Sequence, residues 1–346
     1  LVGVGVIEGF FGPEWSWQSR TNFCKNLPKY GGDFYIYAPK RDPYLRKSWT
    51  EQHPSATWNA IKSLSATCRG AKVAFGVGLS PFELHAHWNE SHKQILRDKV
   101  KSLVDLDIQY LGLFFDDMRG SPDLAEQQIE IVEFVQTLTD RTILFCPTYY
   151  SPDPILDKVF GARPENYLQK IGTLSSSIQI LWTGSKVIPD AISGSELDEV
   201  AKIIRRKPFI WDNCFANDGP KNCKFLKLKP LAGRSPSTLN SSSGWALNLM
   251  NQPNLSEILF VSSTNVLRKN MNPEAALASA AKDLAGDQFA SLMQKHTQSF
   301  LKDGRDKLAS DVVAEIRSAL DQSRFAQDVR DWLDGKYIVG PECLTD

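Results

Sequence analysis

The chain of 346 residues carries 40 basic and 40 acidic side chains, which cancel to a formal net charge of zero. Such a length holds one large domain with a smaller companion, and the charge balance leaves no global electrostatic footprint for nucleic acid or an anionic membrane. No apolar run reaches the ~20 residues that span a bilayer, so neutral or locally read partners are expected rather than nucleic acid or membrane.

Short β-branched or aromatic runs recur with helix-like periodicity between them, and they predict strands at about 2–8, 33–38, 72–78, 110–116, 142–149, 178–183, 207–212 and 244–250. Eight strands alternating with helices is the count of a closed (β/α)8 TIM barrel, which takes about 250 residues. An open doubly wound sheet is the rival. That sheet carries a Gly-rich phosphate loop after its first strand, and Gly3, Gly5, Gly9 and Gly12 match neither G-x-G-x-x-G nor the P-loop.

Between the seventh and eighth strands, residues 232–243 are polar and turn-rich and read as a loop or a short frayed helix. Asn254-Leu-Ser-Glu257 reads as a capping box opening a helix to about Leu267. From Asn272-Pro273 the chain is rich in Ala, Leu, Lys and Asp without strand signals, which predicts about three helices ending near Leu333. The expected division is a catalytic barrel over 1–268 and a C-terminal α-helical domain over 269–346. The apolar stripes of that second unit are expected to pack on the barrel rim or on a second copy of the chain. Because the sequence opens at Leu1, inside a strand-like run and without Met, a trimmed or mature form is expected.

The six cysteines (Cys24, Cys68, Cys146, Cys214, Cys223 and Cys343) form no Cys-x-x-Cys pair, and several sit in apolar runs where a thiol packs as a small hydrophobe. This usage points to a reducing, cytoplasmic compartment, with disulfide pairing left open. His85 and His87 beside Trp88 lack companion ligands and read as a polar loop rather than a metal site.

The chemistry gathers at the predicted strand ends, where a barrel carries its active site. Tyr110-Leu-Gly-Leu-Phe-Phe-Asp-Asp117 ends an apolar strand in two adjacent carboxylates, Asp116 and Asp117, which repel each other and lose hydration. One carboxyl can then hold its proton while the other stays ionised, the division that acid catalysis needs. The plainer reading is a strand ending in two solvated acids that open the next helix. Other strands end in Glu8-Gly9, Lys40, Tyr149-Tyr150, Trp182-Thr183-Gly184, Trp211-Asp212-Asn213 and the run from Asn248 to Asn251. Taken singly, Lys40 reads as a solvated lysine and Trp211 as a core aromatic. Together, aromatic walls with amide, carboxylate and ammonium groups between them suit a neutral polyhydroxylated ligand. None of the five histidines lies at a strand end, which argues against a triad for acyl transfer.

Six ordered motifs carry a family likeness: Gly5-Val-Ile-Glu-Gly-Phe-Phe-Gly12, Tyr37-Ala-Pro-Lys40, Phe115-Asp-Asp117, Phe145-Cys-Pro-Thr148 with Tyr150, Leu181-Trp-Thr-Gly184, and Trp211-Asp-Asn213 with Ala216-Asn-Asp218. They resemble the O-GlcNAcase family, glycoside hydrolase family 84, whose members are β-N-acetylglucosaminidases. The resemblance spans roughly residues 3–265. It implies a retaining, substrate-assisted hydrolase acting on GlcNAc glycosides or O-GlcNAc proteins, without cofactor, as a monomer or weak dimer. It implies that Asp116 orients the 2-acetamido N–H and stabilises an oxazoline intermediate, while Asp117 acts as general acid and then base. Gly9 through its backbone, Lys40, Asn213, Asp218 and Asn251 would hold the sugar, and Tyr150, Val187 and Trp211 would line the acetamido pocket. The chain departs from the family pattern at Phe11, where Tyr is usual, at Arg41, where an acid often follows the lysine, and at Tyr149, where Glu commonly stands. Two other readings are a sugar-binding protein without catalysis and a metal-assisted hydrolase or phosphoryl transferase using Asp116 and Asp117 as ligands.

Overall fold

The computed structural model describes residues 2–345. Strands β1 (Gly3–Glu8), β2 (Phe34–Tyr37), β3 (Ala74–Leu79), β4 (Tyr110–Phe114), β5 (Thr142–Cys146), β6 (Gln179–Trp182), β7 (Phe209–Asp212) and β8 (Gly244–Leu247) pair in parallel in sequence order. β1 also pairs with β8, so the sheet closes and the doubly wound alternative falls. Each strand starts or stops within about three residues of its predicted run. The predicted loop at 232–243 contains the short helix Pro236–Asn240.

The barrel is a packed interior, filled by rings that glycines on facing strands make room for. Near the lower end, Phe34 meets Tyr110 at 5.6 Å and Phe209 at 5.7 Å between ring centroids. Higher up, Phe114 meets Trp211 at 5.2 Å. A Cβ on Gly78 would stand 2.4 Å from the Phe114 ring, so this layer needs glycine on β3. Because side chains alternate along a strand, the next inward positions above Phe114 and Trp211 are Asp116 and Asn213. The aromatic layer is thereby the floor of whatever lies above it.

The helix Pro253–Lys269 follows β8, and the expected capping box does not form there. Asp328, from the helix Arg324–Leu333, caps it instead, accepting from the backbone N–H of Asn254 at 2.7 Å and of Leu255 at 3.1 Å. Glu257 turns to Tyr30 and Arg324. A buried carboxylate on another element, 3 % exposed, outcompetes the local Glu because the helix start is itself buried. Beyond lie the α-helices Pro273–Lys295, Ser310–Ala319 and Arg324–Leu333. Phe289 and Trp332 on these helices, with Phe300 from the turn Ser299–Asp303 between the first two, join one buried cluster with the barrel residues. No helix among the described residues is long and apolar enough to cross a membrane.

Candidate active site

At the carboxyl end of the barrel a cleft is lined by Gly9, Lys40, Asp116, Asp117, Tyr150, Val187, Trp211, Asn213 and Asp218, among others. The sequence thus places these nine predicted residues on six different strand ends and the loops that follow them, and closure of the sheet brings them together. Asp116 and Asp117 are 6 % and 7 % exposed, and each has one buried carboxylate oxygen without a hydrogen-bond partner among the described residues. The Lys40 ammonium bonds the other Asp116 oxygen. Asp117 holds a φ of +58°, in the left-handed region that ordinary residues avoid, so the chain turns sharply here and both adjacent carboxylates face the same cleft. Burial first, and then the negative charge of Asp116, push the Asp117 carboxyl up from its ordinary value, while Lys40 and Arg46 pull it back. The pair is therefore split: one carboxylate sits on a cation, and its neighbour's carboxyl is pushed up from its ordinary value.

The walls follow from local packing. Trp211 lies flat against Gly9, where any Cβ would approach within 2.2 Å of its ring, so β1 must present bare backbone to the cleft. Burial first, and then the charges of Asp117 and Asp116, push the Tyr150 phenol well above its ordinary value and keep it a neutral donor. Asn213 accepts from Asn248 at 3.0 Å and donates to the Val187 carbonyl at 3.0 Å, tying β7, β8 and the loop after β6 into one wall. Behind that wall the outward residue Asp212 makes a buried, two-pronged pair with Arg234, which also bonds the carbonyls of Pro189 and Ala232. On the opposite side Glu8 turns outward to Arg20, held at 2.7 Å. These buried pairs fix the loops carrying Val187 and Gly9 rather than touching the cleft themselves.

Asn251 is the predicted site residue that the fold does not bring to the cleft. It is buried below it, donating to the carbonyls of Phe11 at 2.7 Å and Pro13 at 3.0 Å, and so holds the loop after β1. Asn248 stands in the cleft, with a buried Oδ1 lacking a partner. Strand alternation carries the signal for it: Trp211 and Ala246 are register partners, so two residues on Asn213 and Asn248 meet. Thr183, from the predicted strand end Trp182-Thr183-Gly184, also lines the cleft; Ile188 and Asn222 do so without having been singled out, and Cys343 and Thr345 do so from the C-terminal segment. Part of the segment expected to form a separate helical unit therefore lies at the mouth of the cleft. Of the departures from the family pattern, Phe11 lines the cleft, whereas Tyr149 points away and donates to the Gly161 carbonyl at 2.7 Å. His85 bonds the Arg119 carbonyl, and no cluster of three or more His, Cys, Asp or Glu suited to a metal occurs among the described residues.

The family model for beta-N-acetylglucosaminidase matches residues 4–300. The protein O-GlcNAcases of Rattus norvegicus and Mus musculus are each 31% identical over 256 residues, 70% of this chain and 27% of theirs. The chain thus spans about a quarter of the length of these curated relatives. Among solved structures, a mutant O-GlcNAc hydrolase of Thermobaculum terrenum superposes with a TM-score of 0.80 at 26% identity, covering 96% of this chain and 80% of that one.

Proposed function

The chain belongs to the beta-N-acetylglucosaminidase family, and from that premise we propose that it is a retaining hydrolase whose nucleophile is the substrate's own 2-acetamido oxygen. The observation that carries this reading is the split pair: Asp116 bound to Lys40, and Asp117 buried with its pKa raised, side by side on one wall. Two neighbouring carboxylates suffice when the substrate supplies its own nucleophile, because no carboxylate is then needed across the ring. Asp116 accepts the acetamido N–H and steadies the positive charge of the cyclising oxazoline. Asp117 gives its proton to the leaving oxygen, then takes one from the water that opens the oxazoline. Holding nucleophile and carbon in one molecule removes the entropy of bringing in an outside reactant.

In this proposal Gly9, Lys40, Asn213 and Asp218 hold the sugar with Asn248, which takes the place first expected of Asn251. Tyr150, Val187 and Trp211 enclose the acetamido methyl. The Asp218 carboxylate also accepts from the Phe11 N–H at 2.8 Å, which fixes its angle. The natural substrate is proposed to be GlcNAc linked to protein or peptide, as the names of the O-GlcNAcase relatives indicate for those proteins. Residues 1–268 would form the catalytic barrel and 269–346 a helical domain packed on it.

Hydrolysis of an activated aryl β-GlcNAc glycoside by the folded chain, with the first-formed anomer read by NMR, tests this reading. The β-anomer is expected. The α-anomer, or no turnover with Asp116 and Asp117 intact, overturns it.

A further inference from the structure

A second cleft of about 610 Å3 adjoins the sugar cleft and shares Phe11, Lys40 and Asp117 with it. Under the proposed reaction the group that receives the Asp117 proton departs on this side, so the lining of this cleft meets the aglycone. Its charge leans positive. Arg41, Arg46, Lys47 and Arg119 line it, against the acids Glu83 and Glu342 besides Asp117. None of these four cations forms an ion pair with a carboxylate among the described residues. In a chain whose 40 basic and 40 acidic residues cancel, that is a local excess of positive charge beside the bond to be broken.

Arg46 makes the excess specific. It is 6 % exposed, its guanidinium lies over the rings of Phe11 at 5.6 Å and Phe82 at 5.3 Å, and its buried Nη1 has no partner. Nη2 reaches only the Asp117 carbonyl, at 3.3 Å. A buried guanidinium with no carboxylate at ion-pair distance among the described residues is costly to keep, and an anion arriving beside it offsets that cost. The remaining wall is apolar, with Pro43, Phe82, Val159 and Phe160. Polypeptide already runs along this edge: Glu342 and Leu344 line this cleft, while Cys343 and Thr345 line the sugar cleft. The space beside the bond thus accommodates peptide backbone that presents an acidic and an apolar side chain.

We propose that this cleft is the aglycone subsite and selects acidic peptides, with GlcNAc on a Ser or Thr flanked by Asp or Glu and apolar residues. The inference rests on the reaction proposed above and adds the substrate class.

The test uses the full chain and three peptides of equal length, each with one central GlcNAc-Ser and two flanking positions occupied by Glu, Gln or Lys. The readout is the ratio of kcat/KM between peptides, taken within one enzyme. A preference of Glu over Gln of about tenfold is expected at low salt, with Lys last, since several exposed pairs act together. It should shrink to about threefold or less near 0.5 M salt as the charges are screened. In the triple variant Arg41→Gln, Lys47→Gln, Arg119→Gln the ratio should fall towards one. Equal rates on the three peptides in the unaltered chain at low salt, or an unchanged ratio in the triple variant, overturns the inference. So does charge preference shown by a GlcNAc–uronic acid disaccharide and not by the peptides, which would make the occupant a glycan. Turnover of a neutral aryl GlcNAc glycoside separates the two levels: flat peptide ratios with aryl turnover remove this inference alone, and absence of aryl turnover removes the reaction as well.

Discussion

Replacing Asp117 by Asn keeps the shape of the side chain and deletes its proton. Asn also tolerates the left-handed backbone that Asp117 adopts at φ +58°, so the turn should survive and the loss should be chemical. General-acid assistance is worth roughly a hundredfold to ten-thousandfold, which is about 2.7–5.4 kcal/mol of barrier. That assistance matters in proportion to how badly the leaving group needs a proton. A serine or alkyl glycoside should therefore lose the full factor, whereas an activated aryl glycoside, which departs as a stable anion, should lose little in its first step. The assay is kcat/KM on both substrates for Asp117→Asn and the unaltered enzyme, with folding checked by circular dichroism. Exogenous azide should speed the variant on the aryl glycoside, because a small anion needs no general base to open the oxazoline. Equal losses on the two substrates would refute the assignment of Asp117 as the acid.

Other expectations follow from neighbouring groups. Asp116→Asn should cost activated and poor substrates alike by at least about a hundredfold in kcat, since the oxazoline forms with both; a loss confined to poor leaving groups would exchange the roles of the two aspartates. As burial and Asp116 raise the Asp117 pKa, its protonated form is present at low pH and is lost as pH climbs through that value, giving the alkaline limb of kcat/KM. Arg46 opposes that rise, so Arg46→Gln should move the alkaline limb to higher pH, and a shift to lower pH would contradict the sign. The same linkage makes the native state bind more protons than the unfolded chain at Asp117, a stabilisation present below the unfolded pKa and lost as pH rises through the folded one. Asp117→Asn should accordingly gain stability relative to the unaltered protein as pH rises, measured by denaturant midpoint. Asp328→Ala removes the cap of the helix Pro253–Lys269 and strands buried donors, which should cost about 3 kcal/mol in urea unfolding; a change under about 0.5 kcal/mol would show that the cap is dispensable. Asn248→Ala should lower kcat/KM by about tenfold with little change in melting, and Asn251→Ala should chiefly lower stability. The opposite pattern would return the sugar contact to Asn251.

The eight strands were legible in the sequence because each is a short, nearly continuous apolar run, as parallel strands buried on both faces must be. The adjacent aspartates were legible as a candidate site for a related reason: two neighbouring acids at the end of such a run have few structural uses. Motifs within one strand and its loop, such as Tyr37-Ala-Pro-Lys40 and Trp211-Asp-Asn213, needed no knowledge of distant partners. The placement of Asn251 outside the cleft lining was not legible, because Asn-x-Pro looks alike whether its amide faces a cleft or a neighbouring loop. Only the register between β7 and β8 distinguishes it from Asn248. The capping box at Asn254 failed similarly, since a local Glu competes with Asp328, which lies 74 residues away along the chain and is adjacent only after folding. The basic aglycone cleft was invisible for the same reason, its charges coming from the loops after β2, β3 and β4. Local pattern sets which residues form strands and which chemistry they carry, because alternation and burial act over a few residues; barrel closure sets which of those groups share a cleft, because that depends on register and on contacts between segments far apart in the chain.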